Sequence, residues 1–373
     1  MQLRVATFNA NNLYRRATVL DLEGFSAEAR AVLNDLLELN TLLGLPTYDP
    51  PTRARLITLL EKYGFHTREE NPWFDLIEAR GSLYTVKKTG ELTITAAGRD
   101  AWHGWIELRK ELVTATSTAN TARVLAAGNA DVVCLVEIED RTTLVRFNDD
   151  LLRQEKTRYP HCLLVDGNDP RGIDVGIFSR LEIRSIRSHV DDTYTGVDKR
   201  QYPVFSRDCA EYELALPDNR TLWLLCNHCK SQGYGSQEDN DRKRKKQADR
   251  VREIVSRFNL AKDLVIVAGD FNDTADNPPI HPLKNLLATP NLRDVLNSPK
   301  FSGPRWTFQT GTQQLDYLLC SKPLFASVQS VGIERRGIYH ATSYGGQFPH
   351  FPEVTSPASQ ASDHAAVWAD FTL

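Results

Sequence analysis

The stretch Asp263-Leu-Val-Ile-Val-Ala-Gly-Asp-Phe-Asn-Asp273 joins an apolar run to a polar end, and the fold prediction starts from it. Residues 264–268 are apolar, rich in β-branched side chains and without polar alternation, which predicts a strand buried on both faces. Gly269 then permits a tight turn that presents Asp270 and Asn272. A carboxylate and an amide at a buried strand end are costly to desolvate, so they predict a metal, phosphate or polar partner. A simple polar turn is the alternative for this stretch alone.

Size and composition place the chain among soluble globular proteins. Its 373 residues suffice for one large domain, or for a core domain with an insertion. Hydrophobic residues make up 41% and charged residues 25%, which are ordinary values. The formal net charge of -3 argues against a generally polycationic surface but leaves room for a local basic patch. No run approaches the roughly 18 apolar residues of a membrane span, so we expect no membrane association.

The N-terminus and the cysteines predict a cytoplasmic protein. Residues 1–8 look like a strand and lack the basic start and apolar core of a signal peptide. A secreted protein from which a leader had been removed would share this start. Several of the six cysteines lie in apolar runs, as expected of reduced, buried thiols. Cys226 and Cys229 have CxxC spacing, but there is no second such pair, which argues against a zinc site.

Other short apolar runs along the chain also end in polar side chains. These predicted strand ends carry Asn9 and Asn11, Glu137, His228, Asp270 and Asn272, Asp316, and Asp363 with His364. Ligand sites of α/β folds lie at strand ends, and Asp, Glu and Asn oxygens suit a hard cation such as Mg²⁺ or Mn²⁺. For Asn9 and Asn11 alone, a turn is an equally good interpretation, and a lone His228 would more often be structural.

Residues 14–117 have a different texture and are predicted to form an inserted subdomain. Helical spacing predicts helices over 27–39 and 52–63, and a turn at 87–90 predicts a hairpin. We expect Trp102 and Trp105 to lie on a further helix, as core residues more often than base-stacking ones. The insertion is expected to cap the site or to select the substrate.

Three further segments bear on the function. Residues 163–165 and 175–178 predict a hairpin, and the Gly- and Pro-rich residues 332–361 predict a long loop. The basic run over 241–247 opens a helix that extends to about Phe258. Its charges favour a solvated surface, with a phosphate-facing patch beside the site as the alternative.

The combination of acids, amides and histidines without a glycine-rich nucleotide loop favours hydrolysis of a phosphoester. The histidines could carry a proton or polarise a phosphoryl oxygen. Walker, GxSxG and HExxH motifs are all absent from the sequence, which weakens assignments to nucleotide triphosphatases, serine hydrolases and zinc proteases.

Six motifs in this order resemble those of the endonuclease/exonuclease/phosphatase superfamily. They are Thr7-Phe-Asn-Ala-Asn-Asn-Leu13, Cys134-Leu-Val-Glu137, Asn227-His-Cys-Lys-Ser231, Gly269-Asp-Phe-Asn272, Leu315-Asp-Tyr317 and Ser362-Asp-His364. Each motif is weak alone, but their common order is a strong signal. The Asn-His-x-Lys-Ser stretch is most similar to a bacterial secreted-nuclease-like branch.

The resemblance implies roles for individual residues. Glu137 is expected to be the principal metal ligand, with Asn11 and Asp363 as further ligands; Asn11 stands where some relatives have Asp, which disfavours a second tight metal site. The expected catalytic residues are His228, Asp270, Asn272, Asp316 and His364. The expected phosphate- or substrate-binding residues are Asn9, Arg207 and Lys230.

We therefore predict an α/β protein with a four-layer α/β/β/α sandwich of two mainly antiparallel sheets. Residues 1–13 and 118–373 are expected to form this domain, with the α-rich insertion 14–117 after the first strand. The predicted activity is Mg²⁺-dependent hydrolysis of nucleic acid, DNA or RNA, with Mn²⁺ able to substitute and no obligate protein partner. Hydrolysis of a small phosphorylated lipid or metabolite is the first alternative, and an inactive binding module is the second.

Overall fold

The computed structural model describes residues 1–13, 15–17, 27–67, 71, 73–112, 115–233, 235–340 and 348–373. The chain divides into two compact units, which are described separately below. The first unit, the sandwich unit, comprises Met1–Tyr14 and Thr114–Leu373. The second unit, the inserted unit, comprises Arg15–Val113. Its role in substrate selection stays a prediction.

The described secondary structure is mostly strand. In chain order the strands are β1 (Gln2–Leu13), β2 (Arg15–Ala17), β3 (Phe74–Arg80), β4 (Tyr84–Val86), β5 (Leu92–Ile94), β6 (His103–Leu108), β7 (Lys110–Leu112), β8 (Val132–Ile138), β9 (His161–Leu164), β10 (Asp174–Ser179), β11 (Ile183–Arg187), β12 (Thr193–Thr195), β13 (Gln201–Pro203), β14 (Cys209–Ala215), β15 (Thr221–His228), β16 (Leu264–Asp270), β17 (Leu292–Asp294), β18 (Asp316–Ser321), β19 (Val328–Glu334) and β20 (Ala366–Thr372). The α-helices are α1 (Ala27–Leu43), α2 (Pro50–Lys62), α3 (Ala115–Gly128), α4 (Arg141–Arg146), α5 (Gln237–Val255), α6 (Lys284–Leu287) and α7 (Lys322–Ala326). None of the described helices has both the length and the apolar character needed to cross a membrane.

Two six-stranded sheets form the sandwich unit, in the orders β19-β20-β1-β8-β10-β9 and β11-β14-β15-β16-β18-β17. Neighbouring strands are antiparallel except for the pairs β1 with β8 and β15 with β16. The main hydrophobic core lies between the sheets and includes Val5, Val136, Leu224, Ile266 and Val367, all fully buried. The predicted class, a sandwich of two mainly antiparallel sheets, is confirmed.

Helices cover the outer faces of both sheets. Helices α3 and α4 pack on the first sheet, whereas α5 and α6 lie over the second, where Val251 and Val255 join Val265 and Val267 in a separate core. Helix α5 begins four residues before the predicted start at Asp241, because the Ser236 side chain caps its N-terminus. The predicted hairpin of residues 163–165 and 175–178 is confirmed as the antiparallel pair β9 and β10.

The first strand extends further than predicted. The sequence predicts a strand that ends at Phe8, but β1 continues to Leu13. A shift of register between Asn9 and Leu13 accounts for the difference, since it inserts a bulge in which Asn11 takes a φ of 51°. Bulges turn side chains to new directions without ending the strand, and here the bulge lies among the predicted ligands. Of the predicted loop 332–361, residues 332–334 belong to β19 and residues 341–347 lie outside the described residues.

The inserted unit has its own core, built from α1, α2 and the strand pairs β3 with β6 and β4 with β5. The predicted hairpin is confirmed as β4 with β5, paired at Tyr84 and Ile94. The predicted helix carrying Trp102 and Trp105 is wrong, because the segment after Trp102 is strand β6. The side chains of β6 alternate between exposed and buried with a period of two, and Trp105 on this strand is 42% exposed. Trp102, just before the strand, is 1% exposed and belongs to the core of the inserted unit.

We predict that Gly269→Ala destabilises the sandwich unit. Gly269 has a φ of +136°, and a Cβ atom there would lie 1.9 Å from the Asn227 backbone oxygen on β15. Backbone strain and overpacking together cost about 3 kcal/mol of unfolding free energy. Urea denaturation measures the change, with Gly128→Ala as the matched control because nothing lies within 4 Å of its added Cβ. Equal stability of the two variants would contradict the close approach of β15 and β16.

Candidate active site

Strand direction brings the predicted polar strand ends to one edge of the sandwich. At the C-terminal ends of β1, β8, β15 and β16 lie Asn9, Glu137, His228 and Asp270. Asp316 begins the antiparallel strand β18 and is the register partner of Asp270. His364 precedes β20, which is antiparallel to β1. Since the N-terminal end of an antiparallel strand lies beside its neighbour's C-terminal end, all six side chains share this edge.

The Asn9 side chain links the two sheets through two carboxylates. Its Nδ2 donates to Glu137 Oε1 at 3.3 Å and to Asp270 Oδ2 at 3.1 Å. Asn9 is 1% exposed and Asp270 is 1% exposed, so the contact is screened from water. One amide nitrogen therefore holds an acid from the first sheet and an acid from the second sheet together.

Asp270 is held rigidly by Asn272. The Asn272 backbone N–H donates to Asp270 Oδ1 at 2.7 Å, and its Nδ2 donates to Oδ2 at 3.0 Å. Asn272 has a φ of 53° and Glu137 has a φ of 65°, both in the left-handed region that non-glycine residues rarely adopt. Such backbone strain clusters at functional sites, where the surrounding structure has to maintain it.

Asp316 and His364 form a buried acid–imidazole pair. His364 Nδ1 lies 2.8 Å from Asp316 Oδ2, and its Nε2 lies 3.8 Å from Asp270 Oδ2. Burial alone would lower the pKa of His364, but Asp316 and Asp270 together raise that pKa well above its usual value. The imidazole is therefore cationic, with Nδ1–H donating to Asp316 and Nε2 directed to the interior of the cluster.

His228 has the opposite character. Its Nε2 lies 3.7 Å from Glu137 Oε1 and 3.8 Å from Asp270 Oδ2, both too long for hydrogen bonds. Neither ring nitrogen has a hydrogen-bond partner among the described residues. Burial lowers the pKa of His228 well below its usual value, and the positive charges of Arg207 and His364 lower it further. A neutral imidazole with unused nitrogens thus faces the two acids.

The pKa values of Glu137 and Asp270 are both raised, which means that nearby positive charge does not fully compensate their negative charge. Burial raises the pKa of Glu137, and nearby Asp363 raises it further, against opposing effects of His364 and Asn9. Burial also raises the pKa of Asp270, with His364 opposing and Asp316 adding to the increase. Buried carboxylates are stable when a cation compensates them, and a hard divalent cation prefers oxygen ligands of this kind. The residues at this edge therefore fit a divalent metal ion.

Asp270, Asp316 and His364 form the tightest group of ionisable ligand atoms in the described part of the chain, with all three atoms within 4.8 Å. However, the 2.8 Å contact between Asp316 and His364 is a hydrogen bond that occupies Nδ1. Asp316 and His364 are thus a hydrogen-bonded pair, with Asp270 3.8 Å from the imidazole, rather than part of an open set of metal ligands. The side of the cluster at Glu137 and Asp363 keeps oxygens that a metal ion could use.

Of the remaining predicted residues, Arg207 and Asn11 lie at the margin of this cluster. Arg207 is 2% exposed, donates from Nη1 to the Cys229 oxygen at 3.1 Å, and lies 3.2 Å from Asp169 through Nε. The Asn11 backbone N–H donates to Asn9 Oδ1 at 2.9 Å. By contrast, the Lys230 ammonium donates to the Ser231 and Gly233 oxygens at 2.9 and 2.7 Å, within its own loop. The structure therefore does not bring the Lys230 charge into the cluster.

The basic run at the start of α5 is largely occupied by internal partners. Arg244 is fully buried and pairs with Asp241 and, at 2.8 Å, with Asp273. Arg242 pairs with Glu238, and Lys245 pairs with Asp249. The run is therefore neither a uniformly solvated face nor a uniform phosphate-facing patch. Because α5 packs against the second sheet, one side of the helix is buried, and Arg244 lies on that side.

Sequence reasoning assigned no role to three residues that support the Asp316–His364 pair. The Thr307 hydroxyl accepts hydrogen bonds from the Leu315 and Asp316 amides at 2.9 and 3.1 Å. The Phe308 ring lies 4.9 Å from the His364 ring, centroid to centroid. Ser362 Oγ accepts from the His364 amide at 2.9 Å and donates to the Asn9 oxygen at 2.7 Å. Only Ser362 had a sequence signal, its place in the Ser362-Asp-His364 motif.

Comparison with protein families yields one match. The model of the endonuclease/exonuclease/phosphatase family matches residues 112–364, which include every predicted site residue except Asn9 and Asn11. No curated protein sequence matches the chain at a significant level.

The chain also resembles several solved structures. An endonuclease/exonuclease/phosphatase family protein from Bacteroides thetaiotaomicron is 13% identical, has a TM-score of 0.50, and covers 100% of this chain and 99% of its own. Truncated Caenorhabditis elegans TDP2 is 18% identical, with a TM-score of 0.45 and coverage of 69% and 90% respectively. The human Nocturnin catalytic domain, solved with a bound sulfate anion, is 16% identical, with a TM-score of 0.46 and coverage of 69% and 86%. At these identities the likeness concerns the fold alone.

We predict that Asp316→Asn lowers the pKa of His364 markedly, because the Asp316 carboxylate is the strongest influence raising that pKa. Titration of the imidazole by NMR measures the change. The matched control is Asp363→Asn, which also removes one negative charge near His364 but makes a smaller contribution.

The sign of the linked effect on folding also follows. Since the folded state holds the His364 proton more tightly than the unfolded chain, the pair stabilises the fold at low pH, and this stabilisation is lost as pH rises through the folded-state pKa.

In the titration experiment, an equal change of the His364 pKa in Asp316→Asn and Asp363→Asn would contradict the hydrogen bond assigned between Asp316 and His364.

Proposed function

Because this chain belongs to the endonuclease/exonuclease/phosphatase family, a family of phosphoester hydrolases, we propose that it is a Mg²⁺-dependent phosphodiesterase that cleaves nucleic acid, DNA above all. The observation that carries the proposal is the contact of Asn9 with both Glu137 and Asp270, next to a cationic and a neutral histidine. Acids that attract a metal ion, a base and two imidazoles are the groups that water attack on a phosphodiester requires.

Glu137 is the principal metal ligand in this proposal, with Asp363 and Asn11 as further oxygen donors. The support is the elevated pKa of Glu137, which burial and the neighbouring Asp363 cause and which a bound cation would reverse. When bound, Mg²⁺ withdraws negative charge from the phosphoryl oxygens and from the leaving oxygen.

Asp270 is the group that orients the attacking water and accepts its proton. Its Oδ2 is held by Asn9 and Asn272 at 3.1 and 3.0 Å, so the carboxylate keeps one orientation. Burial raises the pKa of Asp270, which makes the carboxylate a stronger base than an exposed one. Asn272 contributes by fixing this carboxylate and requires no proton transfer of its own.

His364 and Arg207 stabilise the charge that develops on the phosphoryl oxygens. His364 is cationic because of Asp316 and Asp270, and its Nε2–H is available on the side that faces the cluster. The buried Arg207 guanidinium is anchored to the Cys229 oxygen and Asp169, and its charge already acts on Glu137 and His228. Rigid donors of this kind need little reorganisation during the reaction.

His228 donates a hydrogen bond to the leaving oxygen from a neutral ring. Its two nitrogens lack partners among the described residues, so one N–H is free to bind an incoming oxygen. Full proton transfer, the role of general acid, requires a rise of its depressed pKa. The negative charge of a bound phosphodiester supplies such a rise.

We predict that Glu137→Gln removes metal binding without loss of the fold. Because burial raises the pKa of Glu137 above the unfolded value, its ionisation costs stability at neutral pH, and the metal-free variant should be at least as stable as the wild type. Saturating Mg²⁺ or Mn²⁺ should stabilise the wild type by about 2.7 kcal/mol at 100 times Kd, and the variant much less.

Thermal unfolding with each metal or with chelator measures both effects, and Glu213→Gln on β14 is the control for loss of one acid from a strand. A variant that is unfolded in the absence of metal would contradict the assignment and make Glu137 a structural residue.

We predict metal-dependent cleavage of DNA that His364→Ala reduces by about 10²- to 10⁴-fold, because this variant removes the cationic donor. Plasmid, single-stranded DNA, RNA and a set of phosphomonoesters should be compared with Mg²⁺, Mn²⁺ and chelator. His161→Ala is the matched control, since His161 pairs with Ser179 at the opposite edge of the first sheet. Turnover of monoesters alone would reject the nuclease assignment, and inactivity on every substrate would favour a binding module.

A further inference from the structure

A second hairpin extends from the second sheet at the same edge as the candidate active site. Strand β11 ends at Arg187, whose partner on β14 is Glu211, and β14 begins at Cys209, opposite Asn227. The next residue on β15 is His228, the partner of Asp270. Residues 188–208 therefore both leave and return beside the catalytic side chains. Within them, β12 and β13 form a two-stranded hairpin, here called the arm and defined as residues 193–203.

The arm is anchored at its base and exposed at its tip. At the base, Val204 and Phe205 are buried in the core beneath α5, and the Val204 amide donates to the Asp192 oxygen. At the tip, Val197 is fully exposed, and Lys199 is exposed in a left-handed turn with a φ of 65°. An apolar residue beside a cation, both raised on a supported hairpin, is a surface that can contact a ligand rather than stabilise the fold.

Aromatic rings and lysines meet on the side of the arm next to α5. The Tyr194 and Tyr202 rings lie 5.9 Å apart, centroid to centroid. The ammonium groups of Lys243 and Lys246 lie 5.4 and 3.5 Å from the centroid of the Tyr194 ring. Tyr202 remains 38% exposed, so part of its side chain is accessible next to the Tyr194 ring that the two cations contact.

The charge of these two lysines is not cancelled locally. Lys243 donates to the Pro203 oxygen and Lys246 lies over a ring, and neither forms an ion pair with an acid in the described part of the chain. Burial and, to a smaller extent, the neighbouring Lys246 together lower the pKa of Lys243 to about 8, as expected of adjacent cations without an anion. The nearby acids are engaged, since Asp192 pairs with Arg250 at 2.8 Å and Asp198 accepts from the Tyr202 hydroxyl at 2.6 Å.

We propose that the arm, together with Lys243 and Lys246, holds the nucleic-acid strand that flanks the bond being cleaved. Lysines that lack carboxylate partners bind backbone phosphates, and an exposed tyrosine stacks on a base of any sequence. The inference rests on the proposed function and deepens it, because it assigns a polymeric substrate to the site. A small phosphoester would occupy the catalytic edge without reaching the arm.

The test compares a polymer with a small diester. We expect the double variant Lys243→Ala/Lys246→Ala to lose about tenfold in kcat/KM on duplex DNA at 150 mM salt while keeping its turnover of bis(p-nitrophenyl) phosphate. Removing two phosphate contacts should also make the slope of log(kcat/KM) against log[salt] shallower by about 2. Tyr202→Ala should reduce activity on single-stranded DNA by about tenfold and leave the salt slope unchanged.

The matched control is Lys262→Ala/Lys322→Ala, which removes the same charge from exposed lysines at the opposite edge. Lys262 precedes β16 and Lys322 follows β18, so both lie far along their strands from Asp270 and Asp316. This control should match the wild type on both substrates and in its salt slope. Binding without cleavage is measured by adding the arm or control substitutions to His364→Ala, in the presence of chelator. The anisotropy of a fluorescein-labelled oligonucleotide should show weaker binding for the arm variants and unchanged binding for the control.

The outcomes separate the two proposals. A wild type that cleaves DNA, with arm variants that keep its rate and salt slope, overturns the arm alone. Equal losses on DNA and on the small diester also overturn it, since they indicate damage to the catalytic edge. A wild type that hydrolyses the small diester but neither DNA nor RNA overturns the proposed function, and the arm with it. Parallel assays on RNA decide which polymer the arm holds.

Discussion

The burial of Glu137 and Asp270 on either side of the Asn9 amide is the constraint on which the rest of the site depends. The two acids come from different sheets, and Asn9 Nδ2 contacts both. Two carboxylates removed from water repel each other and lose hydration, and the hydrogen bonds from Asn9 and Asn272 offset only part of that cost. The fold tolerates this cost because the hydrophobic core between the two six-stranded sheets stabilises the folded state.

The two histidines adopt opposite charge states for reasons visible in their neighbours. His364 touches Asp316 and faces Asp270, so its proton is retained, whereas His228 faces Arg207 and His364 and sits too far from either acid to donate a good hydrogen bond. Pairs of ionisable groups with divergent pKa values are a common basis of acid–base chemistry. Here the divergence arises because His364 is hydrogen-bonded to an acid, whereas His228 is buried without a hydrogen-bond partner among the described residues and near positive charges.

The basic residues at the start of α5 have two different roles: one is buried in ion pairs, and two contact the arm. Arg244, in the middle of the basic run, forms ion pairs with Asp241 and Asp273 and fixes the start of α5 to the loop after β16. Lys243 and Lys246, one residue before and two after it, face the arm instead, because a helix turns about 100° per residue. The same basic segment thus anchors the loop after β16 through Arg244 and places Lys243 and Lys246 against the arm.

The sequence alone determined the two mainly antiparallel sheets, the polar residues at their ends and the family. These are properties of local periodicity and of motif order, and both can be read along the chain: residues 264–268 predict a buried strand wherever it packs. Local patterns misjudged Trp102 and Trp105, where alternation in β6 prevailed over helical spacing, and the end of β1, where a bulge prolonged the strand.

Only the tertiary structure decided which polar groups meet. It joined Asn9 to Glu137 and Asp270, kept the Lys230 ammonium in its own loop, and placed Thr307 and Phe308 against the Asp316–His364 pair. It also gave the two histidines their different charges. Contacts and pKa values depend on distances and burial between residues far apart in the chain, and no local pattern of side chains encodes those distances.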